Sequence, residues 1–260
     1  MRIFITNDDG YNSGGIAALT ALAMEFSDDV IVVAPDKTYS GMSHAITMHA
    51  PLFVEELAGT PDGLRSYICA GTPVDCVKIA FDEIMKNEKQ PDLVLSGINH
   101  GSNSNISVIY SGTMGAATEA TFYGIPALGI SLTDHSLNAN FDGAVFFARK
   151  IIQQVLEMSE GEKRNLCLNV NVPNINKEDI KGVKYCRQTK GCWKEDFVAR
   201  KDPHGRDYYW MHGKFYNDEP EATDTDEWAL KNGYVAVVPV QMDLTDYNRL
   251  AKLQEKCAKY

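Results

Sequence analysis

The sequence lacks the long hydrophobic runs that membrane proteins need. None of its 260 residues lies in an apolar stretch approaching the roughly 20 residues that span a bilayer. The opening apolar run, residues 3–5, is too short for a secretory signal and is soon followed by Asp8 and Asp9. We therefore expect a cytoplasmic protein that has no membrane partner.

An excess of basic residues is also missing. The chain has 25 Lys and Arg against 35 Asp and Glu, which gives a formal net charge of −10 at pH 7. Binding to the backbone of DNA or RNA requires clustered Lys and Arg. We therefore expect no nucleic-acid polymer as a partner. A small phosphate ester remains compatible with this charge, because a metal ion or backbone amides can hold one anion locally.

The signature motifs of several enzyme classes are absent. The six cysteines form no C-x-x-C pair, which argues against a zinc site or a disulfide framework and favours reduced thiols. Neither a G-x-G-x-x-G pattern nor a Walker A motif supports dinucleotide or P-loop binding. No G-x-S-x-G sequence indicates a serine hydrolase.

Short apolar runs alternate with longer helical patterns along the first part of the chain. The runs predict buried strands at residues 3–5, 30–33, 93–95 and 127–130, and the patterns between them predict helices at 15–26, 74–85, 114–122 and 142–158. This alternation is typical of an α/β protein with a doubly wound, mostly parallel sheet. Ligands of such sheets bind beyond the carboxyl ends of the strands.

The rest of the chain predicts more exposed elements. They are a hairpin within residues 46–68, a second hairpin at 198–211 that projects into solvent, a solvated acidic loop at 218–226, a strand at 234–240 and a helix at 244–258. A folded chain of 28.8 kDa is expected to expose about 11,000 Å² of surface.

Two adjacent carboxylates follow the first predicted strand. Asp8 and Asp9 precede Gly10, which gives the backbone freedom to turn and lets both side chains face the same way. Such a pair repels unless a cation lies between them, and hard oxygen ligands select Mg²⁺, Mn²⁺ or Ca²⁺. The alternative is that Asp8 caps the following helix while Asp9 faces solvent.

Three further loops carry polar residues at predicted strand or helix ends. Ser40 with Gly41 and Asn99 with Asn103 offer neutral oxygen donors that complete a cation site without adding charge, although Ser, Asn and Gly are also ordinary turn residues. Residues 111–113 begin a helix, where free N–H groups favour a phosphate; plain N-capping is the alternative.

Among the histidines and tryptophans, few positions suggest a role. His100 lies within the loop that holds Asn99 and Asn103, so it is a candidate for substrate contact or proton transfer. The three tryptophans, Trp193, Trp210 and Trp228, lie late in the chain. Packing or a subunit interface explains them most simply, and stacking on a nucleobase is the alternative.

Ordered motifs extend along nearly the whole chain. They lie at residues 5–10, 34–35, 40–41, 71–77, 96–99, 101, 103, 111–113, 169–173 and 238–245. Together they resemble the SurE family, stationary-phase survival proteins that act as nucleotidases. The resemblance implies a Rossmann-like sheet, a protruding hairpin and a C-terminal segment exchanged between subunits of a homodimer or homotetramer. It divides a single domain, residues 1–260, into an α/β core at 1–180 and an oligomerisation part at 181–260.

The resemblance also implies a reaction. It predicts a phosphatase that hydrolyses nucleoside 5′-monophosphates, and also 3′-monophosphates or short polyphosphate, by means of a metal-activated water. One Mg²⁺ or Mn²⁺ per subunit, or Ca²⁺ in its place, would be bound by Asp8, Asp9, Ser40 and Asn99. Asn103 would act in catalysis with the two aspartates. Our own hypothesis adds that Asp9 orients the water. The phosphate would be contacted by Gly41, Asn103, Ser111, Gly112 and Thr113.

Three other functions are weaker. A nucleotide-binding sensor that does not cleave its ligand leaves the paired carboxylates unexplained, because two acids repel a phosphate when no metal is present. A nicotinamide-dependent oxidoreductase lacks its glycine fingerprint. A purely structural protein leaves the polar loops at successive strand ends without a purpose.

Overall fold

A computed structural model describes residues 1–136 and 138–257, and this part of the chain forms one nine-stranded sheet and one separate two-stranded hairpin. The strands of the sheet are β1 (Ile3–Thr6), β2 (Val30–Pro35), β3 (Val54–Glu56), β4 (Leu64–Cys69), β5 (Leu93–His100), β6 (Ala127–Leu132), β7 (Cys167–Val172), β8 (Val183–Tyr185) and β11 (Val235–Pro239). The hairpin consists of β9 (Gly191–Lys201) and β10 (Asp207–Asn217).

Helices connect these strands. They are α1 (Gly14–Met24), α2 (Pro73–Ile79), α3 (Gly112–Phe122), α4 (Asp142–Glu157), α5 (Glu160–Lys163), α6 (Asp226–Lys231) and α7 (Tyr247–Cys257). A π-helical turn, Ala80–Ile84, continues α2, and a 3₁₀ helix lies at Asn105–Ile109. The four predicted strands and four predicted helices of the first part are therefore confirmed. Within the described residues, no helix is long and apolar enough to cross a membrane.

The helices cover both faces of the sheet. Leu19 of α1 and Ile151 of α4 belong to one buried core, while Val77 of α2 and Met114 of α3 belong to the other. Strands between two apolar layers must be apolar on both faces, which explains why β1, β2, β6 and β11 are composed mostly of apolar residues. The predicted doubly wound α/β fold is confirmed.

The strand order places a crevice beside β1. The order across the sheet is β3-β4-β2-β1-β5-β6-β7-β11-β8, so the chain moves from β1 to β2 on one side and reaches β5 on the other. Both neighbours run parallel to β1. In such sheets the point at which the order reverses opens a crevice at the carboxyl ends of the strands. The loops after β1, β2 and β5 meet there.

Of the later strands, β8 and β11 extend the sheet, whereas β9 and β10 form the separate hairpin. β11 pairs with β7 in an antiparallel manner and with β8 in a parallel one, so the core of the sheet includes residues beyond 180. The first hairpin is confirmed in shorter form, as β3 paired with β4. The second hairpin is longer than predicted, because its register extends from Gly191 opposite Asn217 to Lys201 opposite Asp207.

The acidic segment 218–226 is not wholly a solvated loop, and that prediction is wrong at its end. Asp226 begins α6 and is 1% exposed. It accepts hydrogen bonds from the backbone N–H groups of Thr189, at 2.9 Å, and Asn105, at 2.7 Å. A run of acids in the sequence gives no sign of which one folds inward to satisfy buried donors.

The C-terminal helix is present but is exposed along its described length. α7 lies within the predicted residues 244–258, of which 258 falls outside the described residues. None of its described residues is buried, and Leu253 is 53% exposed. Its exchange with a second copy stays a prediction.

Candidate active site

A fixed turn carries the two carboxylates beyond the end of β1. The amide nitrogen of Asn7 donates to the carbonyl of Gly10 at 2.9 Å and to the hydroxyl of Ser13 at 2.8 Å, which closes the turn. Gly10 has a φ of 93°, and a Cβ there would lie 3.0 Å from the backbone of Lys37. The turn therefore requires glycine for both its conformation and its close packing.

Asp8 lies buried against the N-terminus of α3. It is 3% exposed, and its Oδ1 accepts a hydrogen bond from the Thr113 hydroxyl at 2.6 Å. Gly112 makes room for it, because a Cβ at Gly112 would lie 2.9 Å from the Cβ of Asp8. Burial raises the pKa of Asp8 to about 6, although the hydrogen bond from Thr113 acts in the opposite direction. A cation beside this carboxylate would stabilise its charged form.

Asp9 is partly buried and faces β5. Its Oδ2 accepts a hydrogen bond from the backbone N–H of His100 at 3.0 Å. Burial raises the pKa of Asp9, and this hydrogen bond opposes the rise. The alternative that Asp8 caps the following helix is wrong, since Ser13 is the N-cap of α1 and accepts from the N–H of Ile16.

The loop after β2 and the carboxyl end of β5 bring Ser40 and Asn99 into the lining of one cavity. The prediction that Asn99 and His100 lie in a loop is wrong, because β5 continues to His100 and both residues pair with β6. The N–H of Tyr39 donates to the carbonyl of Asp8 at 2.7 Å, so the loop that carries Ser40 lies on the aspartate turn. The side-chain nitrogen of Asn99 donates to the carbonyl of Gly101 at 2.7 Å, which leaves its oxygen for another partner. Asp8, Ser40 and Asn99 line one cavity of about 640 Å³.

The donor set fits a hard divalent cation. Two carboxylates, one hydroxyl and one amide oxygen are ligands that Mg²⁺, Mn²⁺ and Ca²⁺ prefer. Among the described residues no group of three or more His, Cys, Asp or Glu side chains could hold a metal ion, so a zinc-type site is not indicated there.

Asn103 is held from below by side chains that sequence reasoning missed. The Oδ1 of Asn171 accepts from the Asn103 N–H at 2.7 Å, and the side-chain nitrogen of Asn169 donates to the Asn103 carbonyl at 2.8 Å. The Asn103 side-chain nitrogen donates to the Ser131 hydroxyl at 2.9 Å. We call Ser131, Asn169 and Asn171 the asparagine cradle. Its members are at most 2% exposed, so each polar group must have a partner within the protein.

The sequence contained a partial signal for this cradle. Asn169 and Asn171 alternate with aliphatic residues in β7, and they formed part of a motif shared with the SurE family, but the motif alone assigned them no task. Alternation of this kind ordinarily indicates a strand with one solvated face. Here both faces are buried, and the polar one supports the loop that carries Asn103.

The start of α3 combines capping with packing. The Ser111 hydroxyl accepts from the N–H of Met114 at 3.0 Å, which makes Ser111 the N-cap, and Ser111 also lines the cavity. The Thr113 side chain is fully buried and its hydroxyl is bonded to Asp8. Gly41 lines the same cavity from the loop after β2. Contact of Gly41, Ser111, Gly112 and Thr113 with phosphate stays a prediction.

The hairpin and a histidine form the remaining walls of the cavity. His100 lines it, with its Nδ1 2.9 Å from the carbonyl of Ser136 and its ring against Phe141. Trp193 lines it too and donates from Nε1 to the Ser107 hydroxyl at 3.0 Å. Trp210 is 67% exposed on the hairpin, while Trp228 stacks on Tyr234 within the fold. One of the three tryptophans therefore lies at the site.

Comparison with known proteins gives a consistent set of similarities. The family model described as Survival protein SurE matches residues 3–195. Proteins named 5′-nucleotidase SurE from Flavobacterium psychrophilum and Christiangramia forsetii are 49% and 51% identical to this chain, over 96% of it and 95% of their own length. The crystal structure of the SurE protein from Aquifex aeolicus is 36% identical, with a TM-score of 0.80 over 98% of this chain and 99% of that one.

Proposed function

This chain belongs to the SurE family, and from that membership we propose that it is a phosphatase that hydrolyses nucleoside 5′-monophosphates with one bound divalent cation. The observation that carries the proposal is the presence of Asp8, Ser40 and Asn99 together in the lining of one cavity of about 640 Å³. That volume lies within the range of about 300–1,000 Å³ typical of small-ligand sites. The relatives named 5′-nucleotidase support the substrate class.

Asp8, Asp9, Ser40 and Asn99 would hold the cation, Mg²⁺ or Mn²⁺, with Ca²⁺ as a further occupant of the same oxygen set. When bound, the cation supplies an activated water and polarises the phosphoryl group. Asp9 would orient that water: its Oδ2 is fixed by His100, and no hydrogen bond from the described residues reaches its Oδ1.

Asn103 and the N-terminus of α3 would bind the phosphate. The asparagine cradle holds both the backbone and the side chain of Asn103, so little reorganisation is needed when charge develops on the phosphoryl oxygens. The free N–H groups at the start of an 11-residue helix favour an anion at that end. Asn103 and Ser111 both line the cavity.

The nucleoside part would lie toward the hairpin. Trp193 and Tyr110 line the cavity there and present aromatic surface on which a base can stack. From the resemblance to the SurE family we also propose hydrolysis of 3′-monophosphates and of short polyphosphate. Nucleic-acid polymers and membranes are not proposed as partners, in line with the net charge of −10.

We further propose a homodimer or homotetramer in the cytoplasm. The chain exposes 14283 Å², about 3,000 Å² more than the roughly 11,000 Å² expected for its mass. An excess of this size is comparable with the area that obligate oligomers bury. The hairpin and α7 are exposed along most of their length, which supports exchange of the C-terminal segment between copies. Six free thiols are consistent with a reducing compartment.

The test is phosphate release from a panel of 5′- and 3′-nucleoside monophosphates and tripolyphosphate. The protein is treated with a chelator, and each substrate is assayed with and without added Mn²⁺ or Mg²⁺. We expect release only with metal and fastest with 5′-monophosphates. Tight nucleotide binding without release under any metal would overturn the proposal and favour a sensor.

A further inference from the structure

The segment that carries Ser40 and Gly41 has no regular secondary structure of its own. Residues 36–53 form turns and irregular chain between β2 and β3. Ser40 and Gly41 are exposed, so packing in the core does not fix them. Their position must come from contacts that the segment makes with the rest of the protein.

One of these contacts is a histidine bound to the middle of α3. The Nε2 of His44 lies 2.7 Å from Oε2 of Glu119, and its Nδ1 lies 3.2 Å from the Thr118 hydroxyl. Glu119 is 3% exposed, which is unusual for a glutamate. A buried carboxylate of this kind must be paired, and His44 is one of its two partners.

The second partner is Lys78 of α2, whose ammonium group contacts Oε1 of Glu119. Burial raises the pKa of Glu119, but the hydrogen bonds from His44 and Lys78 outweigh it and hold that pKa below its ordinary value. Glu119 is therefore ionised near neutral pH and accepts from both neighbours. His44 belongs to the segment 36–53 that carries Ser40, which we call the Ser40 segment, whereas Lys78 belongs to α2.

The same helix contacts both sides of the proposed cation site. At its first turn Thr113 donates to Asp8. At its second turn a Cβ on Gly115 would lie 2.5 Å from the carbonyl oxygen of Ser43, so the segment rests directly on the helix. The N–H of Ser43 also donates to the carbonyl of Tyr110 at 2.9 Å. α3 therefore connects Asp8 rigidly to the residue next to His44.

We propose that His44 is a positioning residue for the cation, which acts by clasping the Ser40 segment to Glu119 and so fixes Ser40 opposite Asp8. The inference rests on the proposed function, because it takes Ser40 as a ligand. His44 is not among the residues that line the cavity. Its loss should weaken cation binding and leave the chemistry of the loaded site unchanged.

Three variants of the full-length chain test this. His44→Ala removes the clasp, His44→Gln restores an N–H donor of similar reach, and Lys78→Met removes the other partner of Glu119 without touching the Ser40 segment. For each, Mn²⁺ binding is titrated calorimetrically, and phosphate release from a 5′-monophosphate is measured against Mn²⁺ concentration. Thermal unfolding checks that each variant is folded.

We expect the dissociation constant for Mn²⁺ to rise about tenfold in His44→Ala, to recover most of that loss in His44→Gln and to change less than about twofold in Lys78→Met. Saturating Mn²⁺ should restore the turnover number of His44→Ala. A purely structural role would predict equal effects in His44→Ala and Lys78→Met.

Unchanged Mn²⁺ affinity in folded His44→Ala would overturn the inference. If His44→Ala does not fold, Glu119→Gln takes its place, because it weakens the same clasp and keeps the side-chain shape. Wild-type protein that binds Mn²⁺ but releases no phosphate would overturn the proposed function alone. Wild-type protein that binds no Mn²⁺ would overturn both.

Discussion

The crevice beside β1 and the β9–β10 hairpin differ in the kind of side chain that each buries or exposes. In the crevice, polar groups are buried and bonded to one another, as in the asparagine cradle, whose members are at most 2% exposed. On the hairpin, large apolar groups lie in solvent, with Trp210 67% and Met211 68% exposed. Buried polar groups need partners, and exposed apolar groups are unusual at this density.

This contrast distinguishes the buried polar groups, which find partners within one chain, from the apolar surface that one chain leaves exposed. The hydrogen bonds that hold Asn103 on the cradle and Asp8 on α3 are all made within one chain. An isolated two-stranded hairpin is only marginally stable in water, and both strands of this one are almost wholly exposed. The contacts that hold Asp8 and Asn103 therefore lie within one chain, whereas we propose that a second copy covers the exposed hairpin and α7.

The largest effect is expected at Asp8. Asp8→Asn should lower phosphate release at least about 10³-fold, because the cation loses its most buried ligand. The fold should persist, because burial disfavours the charged form of Asp8 and raises its pKa to about 6. Asparagine has a similar shape and carries no charge. Phosphate release and thermal unfolding check both parts. Full activity of Asp8→Asn would remove the metal centre from the account.

A second large effect, on both stability and activity, is expected from a substitution in the asparagine cradle. Asn171→Ala leaves the Asn103 N–H and the Oδ1 of Asn169 without these partners and should cost about 2–4 kcal/mol of unfolding free energy. Displacement of Asn103 should also lower kcat/KM about 10²-fold. Urea unfolding and steady-state kinetics measure these changes. Asn174→Ala, an exposed position just after β7, is the matched control and should change neither.

The pKa of Asp8 predicts a pH dependence for the metal-free protein. In the unfolded chain Asp8 titrates near 3.8, and in the folded chain near 6, so the folded state binds this proton more tightly. Its contribution to stability is present below about pH 4 and is lost as the pH rises through about 6, a change of about 3 kcal/mol.

Urea unfolding in chelator, at pH 4 and pH 7, isolates this contribution when wild type is compared with Asp8→Asn. The gap between the two proteins should change by that amount across the interval, with Asp8→Asn the more stable at pH 7. Added Mn²⁺ should remove the advantage of the variant. A gap that does not depend on pH would show that Asp8 does not titrate in this range.

Substitutions in the hairpin are expected to have the smallest effect on the proposed cation site. Trp210→Ser, alone or with Leu253→Ser in α7, should raise the dissociation constant of the oligomer about tenfold or more by removing exposed apolar surface from an interface. Light scattering over a dilution series measures it, and Mn²⁺ affinity should not change. An unchanged oligomer in the double variant would place the interface elsewhere.

The sequence predicted those parts of the fold in which burial is continuous. The apolar runs of β1, β2 and β6 indicated the sheet, and the position of Asp8, Ser40 and Asn99 after the ends of predicted strands indicated the crevice, although Asn99 proves to lie near the carboxyl end of a longer β5. The alternation in β7 resembled that of a half-exposed strand, so the cradle was missed. Only the packing of β7 between β6 and β11 shows that Asn169 and Asn171 face inward.

Other differences have local causes. The outer hairpin was predicted too short, because neither of its faces packs on a core and its inner half, with Lys194, Glu195 and Asp196, shows no apolar alternation. Asp226 was assigned to a solvated loop because its burial depends on Thr189 and Asn105, which lie 37 and 121 residues away. Contacts this distant in sequence leave no local pattern.

The most direct test is a calorimetric titration of chelator-treated wild type and Asp8→Asn with Mn²⁺. The account predicts one binding site per chain in the wild type and none of comparable affinity in Asp8→Asn, at protein concentrations at which both are folded. Equal binding to the two proteins would contradict it, because the cation would then lie away from the turn that follows β1.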